Sequence, residues 1–210
     1  LGCDKVMDQF DMAALFQDMG SSPATLEASK ICDWYSMWPG HSGQQADAVQ
    51  AYTQAELVHT ETWVRLPYDA WLDKWKQDNM KSPVVRLERA LYGHPDSGSY
   101  WEKHCESHVL AAGFELISPD WASCYFHKQL RLFLIIYVDD FKMAGPTENL
   151  AHGWSLITQP SSASEKGLEI DPPEPLGRFL GCLHHPGTAT LSDGTKVNTM
   201  EYCMRSFVMS

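Results

Sequence analysis

The sequence lacks any apolar run long enough to span a bilayer. The longest run, residues 132–138, is about a third of the roughly 20 apolar residues that a membrane helix needs, which excludes a spanning protein. An initiator Met and a basic-then-apolar leader are also missing, so we expect either a piece of a longer chain or an incomplete gene product. The six cysteines form no CxxC pair, which argues against a disulfide framework and favours a reduced, intracellular setting, cytoplasmic or nuclear.

Positive charge is scarce. The 210 residues contain 16 Lys and Arg against 27 Asp and Glu, a net charge of −11. A protein held on nucleic acid by its overall field has the opposite balance, so only a local groove for a polyanion remains. Apolar residues make up 44% of the chain, enough for one compact domain or two small lobes, which excludes a disordered tail.

The apolar pattern predicts both helices and strands. Helices are predicted over residues 23–35, 97–112 and 149–157. Residues 45–57 fit either one helix or a strand that gives way to a short helix. Strands are predicted over residues 63–67, 84–87, 123–127, 130–137, 141–146 and 178–181, with a hairpin turn at residues 192–194.

Two adjacent carboxylates follow the most apolar of these strands. Asp139 and Asp140 come directly after residues 132–138, and residues 141–146 return as the second arm of a hairpin. Acids at the end of a buried strand need neutralisation, and clustered oxygens select hard cations such as Mg²⁺. Taken alone, however, an Asp-Asp pair at a strand end is more often a solvated turn. Asp47 lies at a second candidate strand end and could join them; on its own it also fits a helix cap or a surface position.

Four motifs, in order, resemble the reverse transcriptase domain of copia-type LTR retrotransposons. They are Arg-Leu-Glu-Arg-Ala-Leu-Tyr-Gly at 86–93, Tyr-Trp-Glu at 100–102, Gly-Phe at 113–114 and Tyr-Val-Asp-Asp at 137–140. Residues 45–57 and 176–181 are similar to two further stretches of that family. The resemblance covers about residues 20–205.

The resemblance implies an α+β fold, a polymerase palm made of an antiparallel sheet with helices on one face, plus partial fingers. It divides the chain into an N-terminal helical segment with partial fingers at 1–44, a palm core with the catalytic motifs at 45–158, and a loop with a C-terminal palm hairpin at 159–210. The parent polyprotein of such a transposable element would also carry protease, integrase and RNase H segments, the integrase serving DNA integration.

The resemblance also implies an activity, RNA-directed DNA synthesis on an RNA or DNA template. Asp47, Asp139 and Asp140 would be the catalytic residues and would bind two Mg²⁺ ions, with Mn²⁺ as an alternative ion. A nucleotide would pass from a dNTP to the 3′-hydroxyl of a primer. Tyr52 would be the steric gate against a ribose 2′-hydroxyl, and the other substrate-binding candidates are Tyr137, Val138, Gly93, Asp96 and Lys30.

The sequence departs from the family at the nucleotide-binding stretch. Asp96 replaces the Gln that the family uses, and Gly98 replaces a Pro. An acid facing a triphosphate would repel it, so the alternative is a decayed or repurposed palm-fold fragment that acts as a non-catalytic binding module. A nucleotidyl cyclase is a third reading, which the order of the motifs disfavours.

Basic and histidine side chains give weaker signals. His184 and His185 lie near Cys182 but match no zinc-site spacing. Most Lys and Arg side chains are expected on the solvated surface. The candidates for contact with a nucleic-acid backbone are Lys81, Arg86, Arg89, Lys103, Lys128, Arg131, Lys142 and Arg178.

Overall fold

The computed structural model describes residues 23–58, 61–160 and 166–205. Residues 1–22, half of the predicted N-terminal segment 1–44, lie outside these ranges. The helices are α1 (Leu26–Ser36), α2 (Ala51–Gln54), α3 (Asp73–Gln77), α4 (Ser97–Ala111) and α5 (Thr147–Thr158), with a short 3-10 helix at Tyr68–Ala70. Among the described residues, none of these helices is both long and apolar enough to cross a bilayer.

The strands agree with the predicted segments except at 178–181, where residues 180–181 form a turn, and they add two two-residue strands and the two long arms of the hairpin predicted at 192–194. They are β1 (His41–Asp47), β2 (Trp63–Arg65), β3 (Val84–Arg86), β4 (Glu115–Leu116), β5 (Cys124–His127), β6 (Leu132–Tyr137), β7 (Asp140–Pro146), β8 (Glu174–Pro175), β9 (Arg178–Phe179), β10 (Cys182–Thr190) and β11 (Lys196–Cys203). Residues 45–57 therefore form a strand that gives way to a short helix, the first of the two alternatives.

The chain forms two compact units. The described part of the first unit lies within residues 52–104. Here β2 and β3 pair antiparallel, and a small apolar core is buried, against which Tyr52 and Leu87 pack. The core residues are Ala55, Leu57, Ala90 and Tyr100.

The described part of the second unit lies within residues 23–51 and 105–205. It holds a six-stranded sheet in the order β4-β5-β6-β7-β1-β8 and a three-stranded sheet in the order β11-β10-β9. Every pairing in both sheets is antiparallel. The predicted mixed α and β fold with antiparallel sheets is confirmed.

The six-stranded sheet carries helices on both faces, so the predicted one-faced arrangement is wrong. α1 packs on the face that presents Phe133 and Ala144. α5 packs on the other face, where Gly153 lies against Leu132 and Met143. Successive side chains of a strand point to opposite faces, which is why Leu132 and Phe133 meet different helices. Because β6 is covered on both sides, its sequence is almost continuously apolar.

The first helix shows why its boundary differs from the prediction. Thr25 is the N-cap of α1, and its hydroxyl accepts a hydrogen bond from the Ala28 N–H. This bond satisfies one of the free amides at the helix start, so the helix begins at Leu26 and not at Pro23. The buried face of α1 includes Ala28, Cys32 and Asp33, so the helix positions Asp33 in the interior.

Candidate functional site

The ends of β1 and β7 bring two acids together. Asp47 lies directly opposite Asp140 in the antiparallel register, and the two carboxyl groups are within hydrogen-bonding reach. Asp139 lies next to Asp140 in the turn that joins β6 to β7. Its carbonyl oxygen accepts a hydrogen bond from the Ala48 N–H at 2.8 Å. The three acids that the sequence singled out, which are remote along the chain, therefore lie at one edge of the sheet.

The environment of Asp140 favours the neutral acid. Burial raises the pKa of its carboxyl to about 6, and the negative charges of Asp47 and Asp139 act in the same direction. Asp47 and Asp139 themselves are exposed to solvent. Above this pKa the site carries several negative charges close together. Within the β1–β7 ladder, Asp140 is paired with another acid, Asp47, and not with a basic residue.

The donor chemistry of these residues fits a hard cation. Carboxylate oxygens are the ligands that Mg²⁺ prefers, and a divalent ion would offset the repulsion that raises the pKa of Asp140. Within the ranges that the structure describes, no group of three or more His, Cys, Asp and Glu side chains has the spacing of a metal site. Asp47 and Asp140 are the pair whose carboxyl groups meet.

The turn between β6 and β7 has an unusual backbone. Val138 adopts a φ of 57°, in the left-handed region that β-branched residues rarely occupy. Tyr137 and Asp140 pair across the turn, so Val138 and Asp139 are its two central residues. Tyr137 is the exposed member of a strand that is otherwise buried. The turn therefore places Tyr137 on the surface, directly opposite Asp140 in the hairpin.

Three of the predicted substrate-binding residues lie in the first unit. Tyr52 is half-buried, and its ring centroid is 4.5 Å from that of Tyr92. Gly93 has a φ of 92°, which agrees with the predicted need for a backbone that side chains disfavour. Asp96 is buried immediately before α4, where its carbonyl accepts a hydrogen bond from the Tyr100 N–H. Asp96 thus lies at the start of a helix.

Lys30, the predicted triphosphate contact, is an exposed residue of α1. Its Nζ lies 5.8 Å from the ring centroid of Tyr202 on β11. This spacing is typical of a cation–π contact. In this structure Lys30 therefore interacts with the three-stranded sheet.

Lys142 is fully buried, so its inclusion among the candidates for contact with a nucleic-acid backbone was wrong. Its side chain has no solvent exposure and forms an ion pair with Asp33. Lys142 Nζ also donates to Ser29 Oγ at 3.0 Å. His184 Nδ1 and the Tyr202 hydroxyl each lie 3.0 Å from Asp33 Oδ2.

This buried polar cluster is the feature that sequence reasoning missed. A lysine within a strand is ordinarily read as solvent-facing, because its charge is costly to bury. The signal that did exist was the run of apolar residues on either side of Lys142, with Phe141 and Met143 as its neighbours. Phe141 and Met143 are both buried on one face of the sheet. Lys142, between them, points to the opposite face, which α1 covers.

No protein-family model matches the chain. No curated protein matches it either.

Proposed function

We propose that this chain is the palm of a reverse transcriptase from a copia-type retrotransposon, with part of the fingers. The observation that supports the proposal is the pairing of Asp47 with Asp140 at the ends of β1 and β7, with Asp139 in the adjoining turn. Two metal-binding acids on a hairpin and a third on a neighbouring strand are what nucleotidyl transfer needs. The motif order of the sequence supports the same reading.

Asp47, Asp139 and Asp140 would hold the metal ions. The chemistry that Mg²⁺ supplies at such a site is activation of the primer 3′-hydroxyl and stabilisation of the leaving oxygen. The carboxylates must be ionised to bind a cation, so a metal ion at this site competes with the proton on Asp140, whose pKa is raised to about 6. Tyr137, exposed beside the acids, would support the primer end, and Tyr52 would act as the steric gate.

The proposed substrates are a primer on an RNA or DNA template and a dNTP. In a retrotransposon these would be met inside the cell, where the chain would be joined to the protease, integrase and RNase H segments of a polyprotein. The net charge of −11 implies that the duplex is held locally at the site and by those other segments.

Primer extension tests the proposal. The intact chain should add dTMP to an oligo(dT) primer on poly(rA) in Mg²⁺, and Asp140→Asn and Asp47→Asn should each reduce the rate by about a hundredfold or more. Asp193→Asn is the matched control, because Asp193 is exposed in the turn between β10 and β11. Unchanged extension by either site variant would remove the metal assignment.

A second candidate is a palm-fold module that binds a partner without catalysis. The observation that favours it is Asp96, an acid buried at the start of α4 where the family has Gln. Calorimetry with Mg²⁺ and dTTP separates the two functions. A folded protein that binds the metal and the nucleotide supports the polymerase, and a folded protein that binds neither supports the module.

A further inference from the structure

The peptide bond between Asp47 and Ala48 is held from both sides. On one side the Ala48 N–H donates to the Asp139 carbonyl at 2.8 Å. On the other side the Asp47 carbonyl accepts a hydrogen bond from the Asp171 N–H at 2.9 Å. The first bond ties Asp47 to the turn that carries the other two acids. The second bond comes from a segment that no motif of the sequence singled out.

That segment, residues 168–171, forms a short antiparallel bridge to the end of β1. Ala48 pairs with Ile170, and the Val49 N–H donates to the Glu169 carbonyl at 2.9 Å. Leu168 is 2% exposed and anchors the segment in the interior. The bridge therefore continues along the edge of β1 beyond β8, which pairs only with Gln44 and Gln45.

The bridge lies next to Asp47, at the end of the β1–β7 ladder, where two carboxylates repel each other. Asp47 and Asp140 are like charges held within hydrogen-bonding reach, and their repulsion acts to separate β1 from β7. β1 ends at Asp47, so the ladder with β7 stops at this pair. The bond from the Ala48 N–H to the Asp139 carbonyl opposes this separation directly. The bond from the Asp171 N–H, on the β8 side of β1, fixes the orientation of the same peptide, next to the Cα from which the Asp47 carboxylate projects.

We propose that segment 168–171 is a positioning element of the metal site, acting through the Asp171 N–H. This inference rests on the proposed function and extends it to a residue outside the three acids. Asp171 is exposed and acts on Asp47 through its main chain, so it is a positioning residue and not a catalytic one. Groups that orient metal ligands typically change metal affinity 10–100-fold when they are removed.

The test compares two variants of the same residue. Asp171→Pro removes the N–H, and the extended backbone of Ile170 in the bridge is compatible with a following proline. Asp171→Ala keeps the N–H and removes only the carboxylate. Mn²⁺ binding to the intact chain is followed by electron paramagnetic resonance. We expect Asp171→Pro to weaken Mn²⁺ binding about tenfold and Asp171→Ala to leave it close to the unsubstituted chain.

The outcomes separate this inference from the proposed function. Equal Mn²⁺ affinity for the unsubstituted chain and Asp171→Pro overturns the inference, as does an equal loss in Asp171→Ala, which would assign the effect to the carboxylate. The proposed function itself is overturned if the unsubstituted chain binds no Mn²⁺, or if it binds Mn²⁺ and Asp47→Asn does not abolish that binding. If Asp171→Pro does not fold, an ester in place of the 170–171 amide removes the same donor without fixing φ, and the same tenfold loss is expected.

Discussion

Lys142 and Asp33 form an ion pair in which neither side chain has any solvent exposure. Burial by itself would raise the pKa of the Asp33 carboxyl, but the hydrogen bond with His184 and the charge of Lys142 outweigh it and hold that pKa below its ordinary value. His184 Nε2 has no hydrogen-bond partner among the described residues. The pair joins α1 to β7 in the interior of the second unit. Its Lys142 lies two residues from Asp140 along β7.

Lys142→Met should be strongly destabilising. It leaves the Asp33 carboxylate buried without its ammonium partner, and breaking a buried pair in this way typically costs about 3–5 kcal/mol of unfolding free energy. Urea unfolding at pH 7 measures the loss. Lys196→Met is the control, since Lys196 is exposed on β11 and should change stability by less than about 0.5 kcal/mol.

The double variant Lys142→Met with Asp33→Asn distinguishes an ion pair from simple packing. Removal of the second charge should recover part of the loss, because no uncompensated carboxylate then remains in the interior. A double variant whose loss equals the sum of the two single losses would contradict the coupling.

Asp140 predicts an unusual dependence of stability on pH. Its pKa of about 6 in the folded chain lies above the value near 3.9 expected in the unfolded chain. Between these values the folded state binds more protons, so stability falls as pH rises from about 4 to 6 and the penalty is complete above 6. Asp140→Asn should therefore be more stable than the unsubstituted chain at pH 8 and equal to it below about pH 4.

Thermal unfolding across pH 4–8 measures this difference. Asp193→Asn is again the matched control, and its stability should still fall between pH 4 and 6 as that of the unsubstituted chain does. Mg²⁺ at pH 8 should raise the melting temperature of the unsubstituted chain more than that of Asp140→Asn, since it binds the ionised site. A stability difference that grows as the pH falls would show the opposite sign and refute the assignment.

Much of the second unit follows from the sequence, because its signals are local. The apolar run of β6 and the return of β7 predict a hairpin with Asp139 and Asp140 at its turn. Asp47 was ambiguous between a strand and a helix, since residues 45–51 contain alanines and glutamines that suit either. The resemblance, and not the pattern of residues, indicated that Asp47 would meet the other two acids.

The features that escaped prediction depend on tertiary contacts. From the sequence, Lys142 is expected to be exposed, because a buried lysine needs a charged partner. That partner, Asp33, lies 109 positions earlier (142 − 33) on another element. Both helices that flank the six-stranded sheet were predicted, but their placement on opposite faces was missed for the same reason. Val138 was predicted only as a substrate-binding candidate, and the left-handed conformation of its backbone becomes evident only in the closed turn.

Val138→Gly should stabilise the chain. A β-branched residue in the left-handed region costs about 1–3 kcal/mol, and glycine adopts this region freely. Glycine also loses more entropy on folding, about 0.5–1 kcal/mol, so the expected net gain is about 1 kcal/mol. Val197→Gly, in the ordinary strand β11, is the control and should be destabilising in urea unfolding. An equal loss in both variants would show that the turn stores no strain.

Gly153→Ala should destabilise the second unit although alanine favours helices. Gly153 lies within α5, where alanine is worth up to about 1 kcal/mol over glycine in an open position. Here an added Cβ would clash with the Leu132 side chain and lie 2.9 Å from Met143 Sδ. Overpacking typically costs about 1–3 kcal/mol, so we expect a net loss of about 1 kcal/mol.

Gly177→Ala is the control for this substitution, because the nearest atoms to its added Cβ are 3.8 Å away, an ordinary contact. It should leave the melting temperature nearly unchanged. Leu132→Val combined with Gly153→Ala should recover part of the loss, since the smaller side chain makes room beneath the helix. A higher melting temperature for Gly153→Ala alone would mean that helix propensity dominates and that α5 does not pack closely on β6.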